Sequence, residues 1–492
     1  MPRALPTRCG NAGFGMSESL SRILLPLSFT LFSIYFLYNL ISHPGLLQGS
    51  SYLAVLIGGE ILVVMLWNYQ QSFFAVVMLV FLWAGTDAPM KDAGLSARWA
   101  VLAAGAAVGF VLYLKSKHFF GIIHLLALFC LVSALISGMV SAHPQLAELK
   151  AASLGLVFLY GAAGGRLSID GREAKFIAGL LVGCEALVYF TALQYFILHK
   201  PFFGNPNSLG AVTGMVTTPV LLWGALVSEG TRGYPRRAVA VLVSLLLLVS
   251  SYSRAGIGAG LISCILLCVA MKRYRLLAKG SVVALAAALL IAATVPLPDN
   301  HNVRTESLVD IFLYKGKTES GVFGSRKSRW DRTSEIIQDR PWFGSGFGTS
   351  VTGVDSGPED YAVQSTSGTI REHGNSYLAI LEWVGLLGIV PFLMLMVLIA
   401  VNVVRAIARM FRSADPMSPL VPITIVLLAG FFNVGFEDWL FAPGYYLCVF
   451  FWALAFIQAD LLRASDPAVV SPANGYIASH LYAGYGAVNP GR

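Results

Sequence analysis

The longest apolar run in the chain reads NSYLAILEWVGLLGIVPFLMLMVLIAVNVV and occupies residues 375–404. Its one charged residue is Glu382, and Pro391 lies near its middle. An α-helix needs about 20 apolar residues to cross the hydrocarbon core of a bilayer. A run of this length therefore predicts a membrane-spanning helix and indicates an integral membrane protein.

The composition of the whole chain agrees with this prediction. Of 492 residues, 56% are hydrophobic and only 12% are charged, and the mean hydropathy is +0.70. Soluble domains are about 25% charged. The composition therefore excludes an ordinary soluble enzyme, a disordered protein and a nucleic-acid-binding domain. The six cysteines show no CxxC spacing, so neither a disulfide framework nor a zinc site is predicted.

Further apolar runs of spanning length occur along most of the chain. We identify candidates at 22–42, 51–67, 72–88, 98–115, 118–141, 148–165, 175–198, 207–228, 237–253, 254–271, 280–296, 375–404, 418–436 and 441–460. The first run is too long for the core of a signal peptide, and we expect it to be retained. The sequence thus predicts an all-α polytopic membrane protein with about 12–14 transmembrane helices.

Lys and Arg residues are distributed unevenly among the segments that connect these runs. With the N-terminus placed in the cytoplasm, the cytoplasmic segments carry 20 basic residues and the short outer loops carry 5. Basic residues favour the cytoplasmic side of membrane proteins. The net charge of +8 is therefore attributed to topology, and no nucleic-acid partner is predicted.

This topology divides the chain into segments. We predict a cytoplasmic N-terminal segment at 1–21, a transmembrane bundle at 22–296, a large outer loop at 297–374, further transmembrane helices at 375–460 and a cytoplasmic tail at 461–492. The outer loop is long enough to carry structure of its own. The sequence shows no internal repeat of the kind that marks many secondary transporters.

Polar motifs collect at the predicted outer face. Gly204-Asn205-Pro206-Asn207 precedes a span and leaves free amides at a helix start, which suits an anion or an ordinary N-cap. Ser253-Arg254-Ala255-Gly256 opens a later span. An arginine beside an apolar run is costly unless it is paired or hydrated. Arg254 therefore either holds an anionic group or extends to the water interface.

The outer loop contains a helical and a glycine-rich segment. Residues 324–332, GSRKSRWDR, predict an amphipathic helix that includes Arg326 and Arg329 and that Pro341 ends. The WFGSGFG sequence at 342–348 predicts a tight loop that lies on the membrane surface or closes over a site. Its spacing matches neither of the nucleotide-binding glycine patterns.

Titratable residues lie where the loop re-enters the membrane. His373 directly precedes the longest apolar run, and a neutral imidazole can accept a proton near neutral pH. Glu437 and Asp438 are adjacent at an outer helix end. These carboxylates can pair with Arg254 or Arg326, orient His373, or form a solvated helix end.

In this order, the motifs resemble the O-antigen ligase and polysaccharide polymerase superfamily of bacterial inner membranes. The shared features are a GNPN turn, a Ser-Arg element, an Arg-x-x-x-Trp and Pro-x-x-Gly-x-Gly pair, and a His, Asn-x-Tyr-Leu and Glu-x-x-Gly series. They are carried here by Gly204 to Asn207, Ser253-Arg254, Arg326 to Trp330, Pro341 to Gly346, His373, Asn375 to Leu378, and Glu382 to Gly385. The similarity extends over residues 200–450. Gly374 separates His373 from Asn375, which are adjacent in the commoner family pattern.

The resemblance implies a membrane glycosyltransferase of the GT-C type that inverts the anomeric carbon and uses neither a metal nor a cofactor. The implied donor is a glycan on undecaprenyl pyrophosphate. The implied acceptor is a sugar hydroxyl on a second lipid-linked glycan or on lipid A–core. Polymerisation of exopolysaccharide or O-antigen, ligation to lipid A–core and transfer to protein hydroxyls all remain open.

Site residues follow from the same resemblance. Arg254 and Arg326, with Arg329 as a substitute, would hold the pyrophosphate, because guanidinium groups bind phosphate oxygens in bidentate geometry. His373 would orient or deprotonate the acceptor hydroxyl, supported by Glu437 or Asp438. The remaining predicted substrate contacts are Asn205, Asn207, Asn375 and Tyr377.

Two other classes of protein compete with this interpretation. A transporter or flippase of the same lipid-linked glycan would require a charged central cavity, inverted repeats and activity without His373. A non-enzymatic membrane scaffold gives no reason for the polar motifs to gather on one face. The asymmetric placement of the motifs favours the enzyme.

Overall fold

The fold is given by a computed structural model that describes residues 73–89, 91–115, 120–169, 171–282, 324–350, 372–413 and 415–464. Several predicted segments lie outside these residues. They are the N-terminal segment, the spans at 22–42 and 51–67, nearly all of the span at 280–296, loop residues 297–323 and 351–371, and the tail beyond 464.

Helices make up the regular structure of the described residues. In chain order they are α1 (Phe73–Ala84), α2 (Lys91–Lys115), α3 (Ile122–Met139), α4 (Pro144–Ile169), α5 (Glu173–Ile197), α6 (Pro206–Val227), α7 (Tyr234–Ser250), α8 (Arg254–Ala270), α9 (Gly324–Asp339), α10 (Ser376–Ser413), α11 (Leu420–Asn433) and α12 (Tyr446–Ala464). Seven of the described helices, α2 to α6, α10 and α12, are long and apolar enough to cross a membrane. The all-α membrane fold is thereby confirmed, while the total number of spans and their sidedness stay predictions.

The distribution of apolar surface suits a bundle that is surrounded by lipid. Helices α6 and α12 lie in the interior, where most of their side chains are buried. Helices α3, α5 and α10 expose large apolar side chains, among them Leu128, Val182 and Val397. Apolar side chains cost little on a face that contacts hydrocarbon, so these helices fit the periphery of a membrane bundle.

Glycines bring α6 and α8 into close contact. A Cβ atom on Gly256 would lie 2.3 Å from the carbonyl oxygen of Gly210, and one on Gly214 would lie 2.0 Å from that of Gly256. Small residues allow two helix backbones to approach in this way. The contact places the Ser253-Arg254 turn beside the first turns of α6.

Helix α10 is broken at Gly385, whose φ of 67° and ψ of −176° are not helical. The 341–350 segment fills the break. Amides of the segment donate to carbonyl oxygens of α10 before the break, and amides of α10 after the break donate to carbonyl oxygens of the segment. The bonds are Ser345 to Glu382 (2.9 Å), Gly346 to Trp383 (3.0 Å), Leu386 to Pro341 (2.7 Å) and Leu387 to Trp342 (3.1 Å).

The break explains the glycine-rich loop predicted from the sequence. Backbone groups freed inside an apolar bundle must find partners within the protein, and this loop supplies them. Residues 344–350 are consequently buried. The GSGFG part of the segment, at 344–348, therefore does not lie on the membrane surface. The loop holds the backbone of Glu382 through the Ser345 amide, in α10 just before the break.

Candidate active site

The entry into α10 is tied to the 433–440 turn by a set of hydrogen bonds. Asn375 caps the helix, because its Oδ1 accepts from the amides of Tyr377 (2.8 Å) and Leu378 (3.1 Å). Its Nδ2 donates to the Gly435 carbonyl oxygen at 2.9 Å. The Ser376 hydroxyl donates to the Glu437 carbonyl oxygen at 2.7 Å. These bonds hold His373 against the adjacent Glu437-Asp438 pair.

His373 is almost completely buried, with 1% of its side chain exposed. Its Nε2 lies 3.0 Å from Oε2 of Glu382, and its Nδ1 lies 3.6 Å from Oδ2 of Asp438. The backbone amide of His373 also donates to Oδ2 of Asp438 at 2.7 Å. The Trp383 ring packs edge-on against the imidazole, with 5.3 Å between the ring centroids. The imidazole is therefore fixed between two carboxylates.

Helix α9 presents two arginines to this turn. The guanidinium of Arg326 donates to the Glu437 carboxylate at 2.9 Å and to the Gly374 carbonyl oxygen at 2.8 Å. Arg329 forms an ion pair with Glu372 at 2.9 Å. The helix itself begins at Gly324 and ends before Pro341, where the sequence predicted its end.

The backbone conformation of Gly374 explains why the extra residue between His373 and Asn375 is a glycine. Its φ is +63°, a conformation that L-residues rarely adopt. A Cβ atom on Gly374 would lie 3.2 Å from a guanidinium nitrogen of Arg326. Glycine thus lets the chain turn between the buried imidazole and the helix cap while Arg326 lies directly against the backbone.

Arg254 begins α8, whose N-cap is Ser253: the Ser253 hydroxyl accepts from the Gly256 amide at 3.2 Å. The Arg254 guanidinium lies close enough to that of Arg326 for the two positive charges to interact. Asn205 caps α6 through a 2.8 Å bond from the Asn207 amide to its Oδ1. The α6–α8 contact brings this cap to the same end of the bundle as Arg254.

The carboxylates of the site differ in their affinity for protons. Burial, partly offset by Arg326, raises the pKa of Glu437 to about 7, and the charges of Asp438 and Glu372 add to the rise. Burial likewise raises the pKa of Glu372, against the effect of Arg329. Burial also acts to raise the pKa of Asp438, but hydrogen bonds and charge from His373 hold it below its usual value. Titratable groups with such divergent environments are typical of functional sites.

We call these side chains the charged cluster. Its members are Arg254, Arg326, Arg329, Glu372, His373, Glu382, Glu437 and Asp438. The structure brings together all the arginines, the histidine and both adjacent carboxylates that the sequence singled out. Asp438 contacts His373, whereas Glu437 pairs with Arg326.

Two predicted substrate contacts have their polar atoms engaged within the protein. Asn375 caps α10, and the Tyr377 hydroxyl donates to the Phe431 carbonyl oxygen at 3.1 Å. Their role in substrate binding stays a prediction, as does that of Asn205 and Asn207. Within the described ranges, no group of three or more His, Cys, Asp or Glu side chains is arranged to hold a metal ion.

Sequence reasoning did not assign a role to Glu382, although it is the closest partner of the imidazole. Its other carboxylate oxygen accepts from the hydroxyl of Ser350 at 3.1 Å. Both side chains are buried. The available signal was an acid nine residues after His373 inside an apolar run, where an ionisable group is costly without a partner.

An apolar groove of about 470 Å³ lies between α3 and α10. Its walls include Ile136 of α3, Phe343 of the inserted loop, and Val384 and Leu387 on either side of the helix break. Val384 lies two residues from Glu382 in the chain, although the lining of the groove includes no member of the charged cluster. Its lining suits a hydrocarbon chain.

Residues 239–393 match the family model described as O-antigen ligase. This match confirms the resemblance to the O-antigen ligase and polymerase superfamily over a segment that contains Arg254, Arg326 and His373. It supports a glycosyl-transfer enzyme of the O-antigen ligase or polymerase type. A search of curated proteins found no match to the chain.

Proposed function

We propose that the protein transfers a glycan from undecaprenyl pyrophosphate to a sugar hydroxyl, in the polymerisation or ligation of a bacterial polysaccharide. The observation that carries the proposal is that the Arg254 and Arg326 guanidinium groups lie close together beside the contact between the buried His373 and Asp438. Guanidinium groups bind phosphate oxygens in bidentate geometry, so two of them that converge on one site favour a doubly charged group such as pyrophosphate.

The chemistry of the donor fits these groups. Pyrophosphate leaves with its electron pair and needs its negative charge stabilised more than it needs a proton. Arg254 and Arg326 supply this stabilisation from fixed positions next to an apolar bundle, where electrostatic interactions are stronger than in water. The acceptor hydroxyl loses its proton to the His373–Asp438 side of the cluster and attacks the anomeric carbon with inversion.

The surroundings of the cluster suit a donor that is attached to a lipid. The apolar groove between α3 and α10, which flanks the break after Glu382, can hold part of a polyprenyl chain. In this proposal the cluster faces the outside of the bacterial inner membrane, and both termini lie in the cytoplasm. The 20 to 5 distribution of basic residues supports that orientation.

The test is deletion of the gene followed by parallel profiles of lipid-linked glycan, lipopolysaccharide and exopolysaccharide. Single repeat units without long polymer would identify a polymerase. Long polymer that remains on its lipid carrier would identify a ligase. Profiles that do not change in any of the three fractions would contradict the proposal and favour a transporter of another substrate.

Complementation with matched arginine variants connects the phenotype to the cluster. Arg326→Ala removes a guanidinium that contacts Glu437 and Gly374, and we expect it to leave the deletion phenotype uncorrected. Arg332→Ala is the control, because Arg332 lies on the same helix, is exposed and pairs with Glu335. Equal restoration by both variants, at equal amounts in the membrane, would contradict the role of Arg326.

A further inference from the structure

The members of the charged cluster that surround His373 are buried to different depths. The side chain of Glu382 is 0% exposed and that of His373 is 1% exposed, whereas that of Asp438 is 24% exposed. A group that takes a proton from the acceptor must come within about 2.6–3.2 Å of its hydroxyl. The Asp438 carboxylate is partly exposed and so is accessible to such a hydroxyl, whereas the buried imidazole is not.

Both ring nitrogens of His373 face carboxylates. Nε2 lies 3.0 Å from Glu382, and Nδ1 lies 3.6 Å from Asp438. With 1% of the side chain exposed, both nitrogens are directed at carboxylates rather than at open space where an acceptor could bind. Hydrogen bonds and charge from His373 hold the pKa of Asp438 below its usual value, so the carboxylate is ionised and can accept a proton.

We propose that Asp438 is the catalytic base that deprotonates the acceptor hydroxyl, and that His373 and Glu382 are positioning residues that hold Asp438 ionised and oriented. This inference rests on the proposed glycosyl transfer and assigns the roles within its site. It moves the base from the histidine, where the family resemblance placed it, to the partly exposed carboxylate that lies at Nδ1 of that histidine.

The proposed step balances within the site. The acceptor oxygen forms a bond to the anomeric carbon as the bond from that carbon to the pyrophosphate oxygen breaks. The acceptor proton passes to a carboxylate oxygen of Asp438, and the pyrophosphate leaves with the bonding electron pair next to Arg254 and Arg326. Asp438 then releases the proton to water.

Glu382 is suited to a positioning role because it is held at both its side chain and its backbone. One carboxylate oxygen accepts from Ser350, and the other lies at Nε2 of His373. Its carbonyl oxygen accepts from the Ser345 amide at 2.9 Å. The break in α10 thus fixes the carboxylate that orients the imidazole.

Other charges also face this site and must be kept constant in a test. Arg326 and Arg329 come from α9, Arg254 from α8, and Glu372 and Glu437 flank the contact between His373 and Asp438. None of them is changed in the variants used below. A shift in a pH profile therefore reports on Asp438, His373 and Glu382.

The experiment uses the full-length protein in liposomes. The probe is lipid-linked glycan that has been extracted from the membranes of the gene-deletion strain, and the rate of transfer is measured from pH 3 to pH 9, so that the acid limb of the wild-type profile is included. We expect Asp438→Asn to lower the rate about 100-fold or more at every pH, as the loss of a general base does. Thermal melting in detergent confirms that each variant is folded.

His373→Gln distinguishes the two possible bases. If Asp438 is the base, loss of the imidazole raises its pKa, so the acid limb of the profile moves up by about one pH unit or more while activity persists at neutral and alkaline pH. If His373 is the base, the variant stays inactive at every pH while Asp438→Asn keeps part of its activity. That second result would overturn the inference.

Glu382→Gln provides an independent variant in case His373→Gln does not fold. We expect the same upward movement of the acid limb, but a smaller one, and rescue by Glu382→Asp. An acid limb that does not move in Glu382→Gln would overturn the positioning role. No transfer by the wild-type protein would instead overturn the proposed function itself, so the two failures are distinguishable.

Discussion

Charged side chains are buried in two different ways in this molecule. Arg166 of α4 pairs with Asp460 of α12 at 2.6 Å, and Arg236 of α7 pairs with Glu185 of α5 at 2.8 Å. We call these contacts the structural pairs. In each of them a buried or half-buried carboxylate faces a guanidinium, and Glu185 also lies 3.8 Å from Arg237. In the charged cluster, by contrast, several carboxylates lie together with several arginines.

The difference is one of electrostatic cost. The Arg166–Asp460 pair balances its charges and joins two helices, so it is explained by the fold alone. In the cluster, Arg254 lies close to Arg326, and Glu437 lies close to Asp438 and Glu372. Like charges that are held together destabilise the protein, and such arrangements are typical of functional sites rather than of stabilising contacts.

The largest expected effect comes from removing both charges of one pair in each region. Arg326→Met with Glu437→Leu should lower the transfer rate about 100- to 1000-fold, because a charge-stabilising donor is lost. Arg166→Met with Asp460→Leu should leave the rate within about 3-fold of wild type, because no buried charge is left without its partner. The rates are measured in liposomes with lipid-linked glycan from the deletion strain.

Melting temperatures in detergent serve as the control for this comparison. Both double variants should remain folded, since each replaces an ion pair by apolar side chains of similar size. An equal loss of transfer in the two folded variants would remove the distinction between the structural pairs and the cluster.

A smaller effect, on stability alone, is expected from breaking a structural pair. The side chains of Arg166 and Asp460 are 13% and 16% exposed, so Asp460→Ala removes the partner of a largely buried guanidinium. We expect a cost of about 3 kcal/mol, at the low end for a buried pair because both groups retain some contact with water. The apparent melting temperature should fall by several degrees, with the transfer rate per folded molecule unchanged.

The control is Glu148→Ala, which removes an exposed carboxylate from the same helix as Arg166. Such a change usually alters stability by less than about 0.5 kcal/mol. A melting temperature for Asp460→Ala that equals that of the control would show that the Arg166–Asp460 contact does not stabilise the bundle.

The sequence predicted the helices and the members of the cluster better than it predicted their contacts. The length of the apolar run alone predicts α10, and Pro341 correctly marks the end of α9. The break at Gly385 was not predicted, because a glycine within an apolar run is also compatible with a continuous helix. It depends on hydrogen bonds to a loop about 40 residues earlier in the chain, and pattern reasoning does not detect such a partner.

The same limit applies to the partners of His373. The adjacent Glu437-Asp438 pair was a candidate from its position, but which carboxylate reaches the imidazole depends on the 433–440 turn. Glu382 was quoted only as part of a motif, since its side-chain direction follows from the break in α10. Tertiary contacts, rather than local propensity, decide which of several nearby ionisable groups meet.

The smallest predicted effect concerns how stability depends on pH, and it again separates the cluster from the structural pairs. Burial raises the pKa of Glu437 to about 7 from a usual value of 4.5. Between these values the folded protein binds more protons at this site than the unfolded chain does. The stabilisation is therefore fully present below the unfolded pKa and is lost as the pH rises through the folded one.

Glu437→Gln removes this proton-linked contribution because glutamine does not titrate. From pH 5 to pH 7.5, the melting temperature of the wild-type protein should fall more steeply than that of the variant. Glu372, whose pKa is also raised, contributes in the same direction in both proteins, and the contribution of Asp438 is lost only below its usual range. Glu148→Gln should parallel the wild type. Parallel slopes for Glu437→Gln and wild type would mean that Glu437 is fully ionised across this range, so that its pairing with Arg326 outweighs burial and the neighbouring carboxylates, as in a structural pair.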